Sequence, residues 1–303
     1  MTLSPETATL MAEFAKSDGK PLHEMTVAEA RALSEALTAL GTPADGTVTI
    51  TDSLLLVEGG EMLMRTLTPR TAPLGVLMFI HGGGWVIGSA AEWTSVGSHL
   101  ATATGCIVVL PDYRMAPEQP FPIPVEDCWT ALKHVARTHS LPLIVGGDSA
   151  GGNLAAVMAL RARDQGGPAL AGQVLIYPVT DHDVSRPSWR APDNQQTLTA
   201  RGMSWFWQHY IADESARLHP DAAPMKATSL ANLPPTYLLV AEHDVLHDEG
   251  MDYGDALAAA GNDLTRVVFD GQIHGFLTLG SVLPAASRAI AEIGDWIRSR
   301  LAL

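Results

Sequence analysis

Cysteine is nearly absent from this chain. Cys106 and Cys128 are its only two, and neither falls in a CxxC pair or another metal-type spacing, so a cysteine-built metal centre is excluded. Cys106 sits in the apolar run Gly105-Cys106-Ile107-Val108-Val109-Leu110 and Cys128 in a helical stretch, which reads as two reduced, buried thiols. Basic residues are scarce as well: 19 Lys and Arg face 33 Asp and Glu, for a net charge of −14. Binding to phosphate needs a basic face, so neither nucleic acid nor an anionic membrane surface is expected as a partner. No uncharged apolar run approaches the roughly 20 residues of a membrane span. The opening Met-Thr-Leu-Ser-Pro-Glu-Thr lacks the basic start and apolar core of a secretion signal, so a soluble cytoplasmic protein is expected. Internal repeats and low-complexity segments are missing too.

What is present is ample apolar material: 47% of 303 residues are hydrophobic and 17% charged, enough for one large core. The first 45 residues read as helical, with Ser4-Pro5-Glu6 as a cap followed by proline and an Ala/Leu-rich stretch from Thr26 to Leu40. Two strand-like segments, Val48–Val57 and Met62–Leu67, flank the hairpin signal Glu58-Gly59-Gly60-Glu61. Short apolar runs follow at Val76–Ile80, Ile107–Leu110, Leu143–Val145, Gln173–Tyr177, Thr236–Ala241 and Thr265–Phe269. They alternate with helical stretches predicted at about 92–104, 123–139, 150–165, 248–260 and 284–301. Continuous rather than alternating runs suit strands buried on both faces of a mostly parallel sheet.

Residues 180–234 interrupt that rhythm: they hold no good strand, carry several prolines and include the aromatic segment Met203-Ser204-Trp205-Phe206-Trp207-Gln208-His209-Tyr210. So long an insertion between sheet strands is usually functional. It reads as part of a lid, with the N-terminal helices as the rest; extra helical packing on the sheet is the plainer alternative. The expected organisation is cap helices at 1–45, an α/β core at 46–179 and 235–303, and a cap insertion at 180–234.

The chemistry-bearing motif is Gly147-Asp148-Ser149-Ala150-Gly151, between the strand Leu143-Ile144-Val145 and the helical run Asn153–Arg163. That is the strand–turn–helix setting a G-x-S-x-G nucleophile needs, because a turn so tight leaves no room for side chains at the flanking positions. The serine hydroxyl then stands at a helix N-terminus, whose dipole favours developing negative charge. Upstream, His81-Gly82-Gly83-Gly84-Trp85 follows a strand directly, and its glycines let backbone N–H groups approach a substrate oxygen. The expected oxyanion donors are the amides of Gly82, Gly83 and Ala150. A phosphate loop is disfavoured by the missing lysine and hydroxyl, and His81 is expected to shape the loop rather than act as base.

A serine nucleophile needs a base, and the base an orienting acid; in this topology both follow the serine, acid first. Among the late histidines, His274 lies just past the last apolar strand, where a loop can swing it over Ser149. Asp244 is the best acid, at the end of the preceding strand, with Glu242 and Asp248 as runners-up. His243 and His247, at i and i+4 with acids between, could in principle hold a metal, but the segment bridges a strand end and a helix start, so no metal is expected. Trp85, Trp205, Phe206 and Tyr210 are candidates for lining the substrate pocket, with core packing as the alternative for each.

Together these motifs resemble the hormone-sensitive-lipase-like family of α/β-hydrolases, the bacterial family IV esterases. Beyond those already quoted, the matching residues are Tyr113-Arg114-Met115-Ala116-Pro117-Glu118, Phe121-Pro122, Gly152-Asn153-Leu154, Asp248-Glu249-Gly250 and His274-Gly275-Phe276, in the family's order. The resemblance implies an α/β-hydrolase fold with a mostly parallel eight-stranded sheet flanked by helices, and a helical cap. It also implies hydrolysis of short-chain acyl esters through an acyl-enzyme, with Ser149, Asp244 and His274 as triad, no cofactor, and a homodimer. Two departures flank the acid: Glu242-His243 where the family usually has small residues, and Val245 where it usually has proline. An amidase or arylformamidase would use the same triad. A non-catalytic receptor of the fold would be expected to lack one of its members.

Overall fold

The computed structural model describes residues 2–302. The two predicted hairpin segments form β1 (Thr49–Val57) and β2 (Gly60–Thr68), and the apolar runs become the rest of one sheet. These are β3 (Val76–Ile80), β4 (Ile107–Asp112), β5 (Leu143–Asp148), β6 (Gly172–Ile176), β7 (Thr236–His243) and β8 (Leu264–Ile273). The eight strands lie in the order β1-β2-β4-β3-β5-β6-β7-β8. The β1–β2 and β2–β4 pairs are antiparallel and all others parallel. Every residue of β3, β5 and β6 is buried, as continuous apolar runs require of strands covered on both faces.

The helices are α1 (Pro5–Phe14), α2 (Val27–Leu37), α3 (Thr94–Thr104), α4 (Ile123–Thr138), α5 (Ala150–Asp164), α6 (Pro187–Arg190), α7 (Ala200–Tyr210), α8 (His247–Ala259) and α9 (Pro284–Leu301). Buried residues of α4, α5 and α8 form one core layer against the sheet; those of α3 and α9 form the other. Among the described residues, no helix is long and apolar enough to cross a membrane.

Parallel strands bring their C-terminal ends to one edge of the sheet, where α/β folds build their sites. The loops after β3, β5, β7 and β8 carry Gly82–Gly84, Ser149, Asp244 and His274 to that edge. The last strand runs four residues beyond the apolar run that marks it. Asp270 is exposed and Gly271 has no side chain, so the apolar signal stops while the ladder continues to His243↔Ile273 across a register shift.

Candidate active site

Ser149 sits between β5 and α5 with φ 55° and ψ −119°, a strained backbone for a side-chain-bearing residue. The surroundings enforce it. A Cβ on Gly147 would stand 2.4 Å from the backbone of Gly151, and one on Gly151 would stand 1.9 Å from the Ile80 carbonyl oxygen. The Ser149 N–H donates to Ile176 O at 2.9 Å, pinning the turn to the neighbouring strand.

His274 follows β8 and is turned by Gly275, at φ 78°. Its Nε2 lies 2.8 Å from Ser149 Oγ, and its Nδ1 2.6 Å from Asp244 Oδ2. Asp244 is buried, and its Oδ1 accepts from the Leu246 N–H at 2.9 Å. The three residues expected to act together therefore form one chain of contacts. Tyr177 packs its ring against His274, with centroids 4.8 Å apart, and Thr197 Oγ1 donates to the His274 carbonyl at 2.7 Å. The alternative acids are engaged elsewhere. Asp248 Oδ2 accepts from the Ser188 N–H at 2.7 Å. Glu242 Oε2 accepts from the Gly271 N–H at 2.6 Å, so this unusual neighbour of Asp244 ties the end of β7 to the last residues of β8, just before His274. His247 Nδ1 meets the Ala241 carbonyl, whereas the buried His243 Nε2 has only Glu242 at 3.7 Å. Among the described residues no cluster of three or more His, Cys, Asp or Glu could hold a metal ion.

The glycine loop corrects one expectation. The Gly82 N–H is not free for an oxyanion, because it donates to Asp148 Oδ1 at 3.0 Å. Trp93 Nε1 donates to the same oxygen at 2.8 Å. Gly83 and Gly84 line the cavity beside Ser149, with no protein acceptor for either N–H among the described residues. Ala150 opens α5, where an N–H has no intrahelical partner. The available donors are thus Gly83, Gly84 and Ala150. The fully buried Asp148 carboxyl is pushed up to about 7 by burial, although the Trp93 and Gly82 donors pull it down. His81 is buried and stacks on Tyr113 at 4.3 Å, and Tyr113 Oη donates to the His81 carbonyl at 3.1 Å, as a loop-shaping residue should.

The cavity holds about 250 Å³ over Ser149 and His274. Its walls come from α2 (Leu33, Leu37), Phe14, Leu198 and α7 (Met203, Phe206). Phe206 lies so close to Gly84 that a Cβ there would stand 2.2 Å from the ring. Of the four aromatics expected at the pocket, only Phe206 lines it. Trp85 is fully buried and stacks on Tyr210 at 4.2 Å, and Trp205 packs on His209 at 4.3 Å. Trp205 lies on the other side of α7 from Met203, whereas Tyr210 shares the face of Met203 and Phe206 but sits a turn further along the helix, against Trp85. Trp93 and Glu92, which no motif marked, line the cavity instead.

A family profile described as alpha/beta hydrolase fold matches residues 77–278. The chain belongs to the hormone-sensitive-lipase-like branch of the α/β hydrolases. This hydrolase is 38% identical to the esterase LipI of Mycobacterium tuberculosis over 251 residues, 78% of each chain. It is 32% identical to the ethyl acetate hydrolase of Pseudomonas putida across 99% of this chain and all of that one. Among solved structures, a thermostable Pseudomonas putida esterase superposes with a TM-score of 0.94 at 32% identity, over 100% of this chain and 98% of that one. A hyperthermophilic esterase from Pyrobaculum calidifontis superposes with 0.90 at 35% identity, over 99% of each. The likeness extends over residues 1–45 and 180–234 as well as the sheet. The chain is a serine hydrolase.

Proposed function

We propose that this α/β hydrolase cleaves short-chain carboxylic esters, with Ser149 as nucleophile, His274 as base and Asp244 as orienting acid. The observation that carries the reading is the unbroken contact from Asp244 through His274 to Ser149 at the mouth of an apolar cavity. His274 takes the Ser149 proton as the hydroxyl attacks the ester carbonyl, and Asp244 fixes the tautomer and stabilises the imidazolium. The amides of Gly83, Gly84 and Ala150 receive the oxyanion; losing one such donor typically costs about 10²–10³ in rate. His274 then protonates the leaving alcohol and activates the water that frees the acyl group.

A cavity of about 250 Å³ is small beside the ~300–1,000 Å³ of common ligand sites, which supports a short acyl chain. Relatives named for ester hydrolysis, one of them for ethyl acetate, support ester over amide cleavage. Residues 1–45 and 180–234 serve as the two parts of one cap, as their shared walls around the cavity support. The family resemblance supports a homodimer. Ser149→Ala is expected to abolish hydrolysis of p-nitrophenyl butyrate with an unchanged circular dichroism spectrum; activity near that of the unmodified protein would overturn the assignment.

A further inference from the structure

Although the cavity wall is mostly apolar, its charge is of one sign. The ionisable groups lining it are Glu92, Asp148 and His274, with no lysine or arginine. Asp148 is committed to the glycine loop. Glu92 belongs neither to the triad nor to that loop, yet it is fixed in the wall. Ser34 Oγ, on α2, donates to its Oε2 at 2.5 Å, and Ser89 Oγ donates to its Oε1 at 3.0 Å. Both donors are neutral hydroxyls, so neither brings a compensating positive charge. Because they come from two different elements, the charge cannot swing away from the cavity.

We propose that Glu92 sets the charge class of the substrate: the cavity takes neutral and cationic esters and rejects esters that carry a carboxylate. The proposal rests on the ester-hydrolase reading and adds the residue that selects among esters. Selectivity of this kind needs a repulsive element built into the site, and a clamped carboxylate is one. Two unit charges about 7 Å apart, at an effective dielectric of about 20, repel enough to change relative rates by more than about tenfold. A neutral ester has no net charge for Glu92 to act on, so the effect is confined to charged substrates. The competing role for Glu92 is a tether between α2 and the core. Losing a tether loosens the wall for every substrate alike, so the ratio between substrates separates the two roles.

The test compares kcat/KM for the p-nitrophenyl esters of butyric acid, of glutaric acid with its second carboxyl free, and of 4-(trimethylammonio)butyric acid, each corrected for spontaneous hydrolysis. Glu92→Gln keeps the shape and an acceptor while removing the charge. It is expected to raise the rate on the glutarate ester about tenfold relative to the butyrate ester, and to lower the rate on the cationic ester. A second measurement needs no variant. In the unmodified protein, raising salt from about 20 mM to about 0.5 M should narrow the gap between the butyrate and glutarate esters, because ions screen the repulsion. Equal losses on all three esters, or ratios unmoved by both the substitution and salt, would overturn the role of Glu92. An unmodified protein that fails on the butyrate ester as well would overturn the short-chain ester-hydrolase reading itself.

Discussion

At the scale of single side chains, Asp148 is the residue whose role most exceeds its place in the motif. It precedes Ser149 and holds the Gly82 N–H and the Trp93 indole on one carboxylate oxygen. Gly82 is the residue before the Gly83 and Gly84 amides, so Asp148 fixes where those amides point. It touches no reacting atom and is a positioning residue. Asp148→Ala should lower kcat about 10–100-fold with little change in KM, since misaligned donors lose part of the ~10²–10³ that an oxyanion donor supplies. Asp148→Asn retains an acceptor oxygen and should recover most of that loss. If the two variants fall equally, or only KM moves, Asp148 does not align the donors. This contact also shows where the sequence stops being legible. The spacing of His81-Gly82-Gly83-Gly84 reveals a loop able to present N–H groups, but which amide is free depends on a carboxylate 66 residues away. That Ser149, Asp244 and His274 would meet was legible because strand order constrains where they fall; Glu92 and Trp93 carry no such order, and their place at the cavity was not.

Among the elements, α2 is tied to the body of the molecule through the side chain of Arg31. Arg31 donates through Nε to the Val86 carbonyl at 2.9 Å and through Nη2 to the Ala116 carbonyl at 3.1 Å. It also grips Glu118 with both terminal nitrogens, at 2.8 and 2.7 Å. The helix itself begins at a capping box, Thr26 with Glu29, which fixes its start but not its docking. Because Leu33, Ser34 and Leu37 on α2 wall the cavity, releasing the helix should loosen the site. Arg31→Ala is expected to raise KM for p-nitrophenyl butyrate several-fold and to cost about 1–2 kcal/mol, most of it from the two carbonyl contacts because an exposed ion pair adds only ~0–1 kcal/mol. Limited proteolysis should then cut first in the segment following α2, with the sheet core left whole. Unchanged KM and an unchanged cleavage pattern would show that apolar packing alone seats the helix. Strands and long helices could be read in advance from their apolar runs. The short helices of 180–234 could not, since α6 spans only Pro187–Arg190 and owes its place to contacts such as Ser188 Oγ with the Val245 carbonyl.

For the molecule as a whole, two buried carboxyls set how stability responds to pH. Burial pushes Glu249 up to about 8, even though its oxygens accept from the Thr180, Asp181 and Trp189 N–H groups, and Asp148 is raised to about 7. Glu249, on α8, accepts from residues at the start of the long segment between β6 and β7, so its ionisation bears on the contact between that segment and α8. In the unfolded chain these carboxyls lose their protons near 4.5 and 3.8. Between those values and the raised ones the folded state binds more protons than the unfolded state, so stability falls as pH rises. The histidines that burial lowers, among them His81 and His182, act the other way, adding stability as pH climbs to their ordinary value of 6.5. Above 6.5 that opposing contribution dies away over about one pH unit, and the carboxyls decide the net slope: both up to about 7, Glu249 alone up to about 8. Each group can contribute at most about 1.4 kcal/mol per pH unit, so the unfolding free energy should drop by about 1–3 kcal/mol from pH 6.5 to 8 and then level off. Urea denaturation at pH 6.5, 7.25, 8.0 and 8.75 follows this directly. Glu249→Gln should remove most of the slope whatever it does to absolute stability. A profile that rises across the window, or a slope that survives the substitution, would mean that Glu249 does not carry the pH response of the fold.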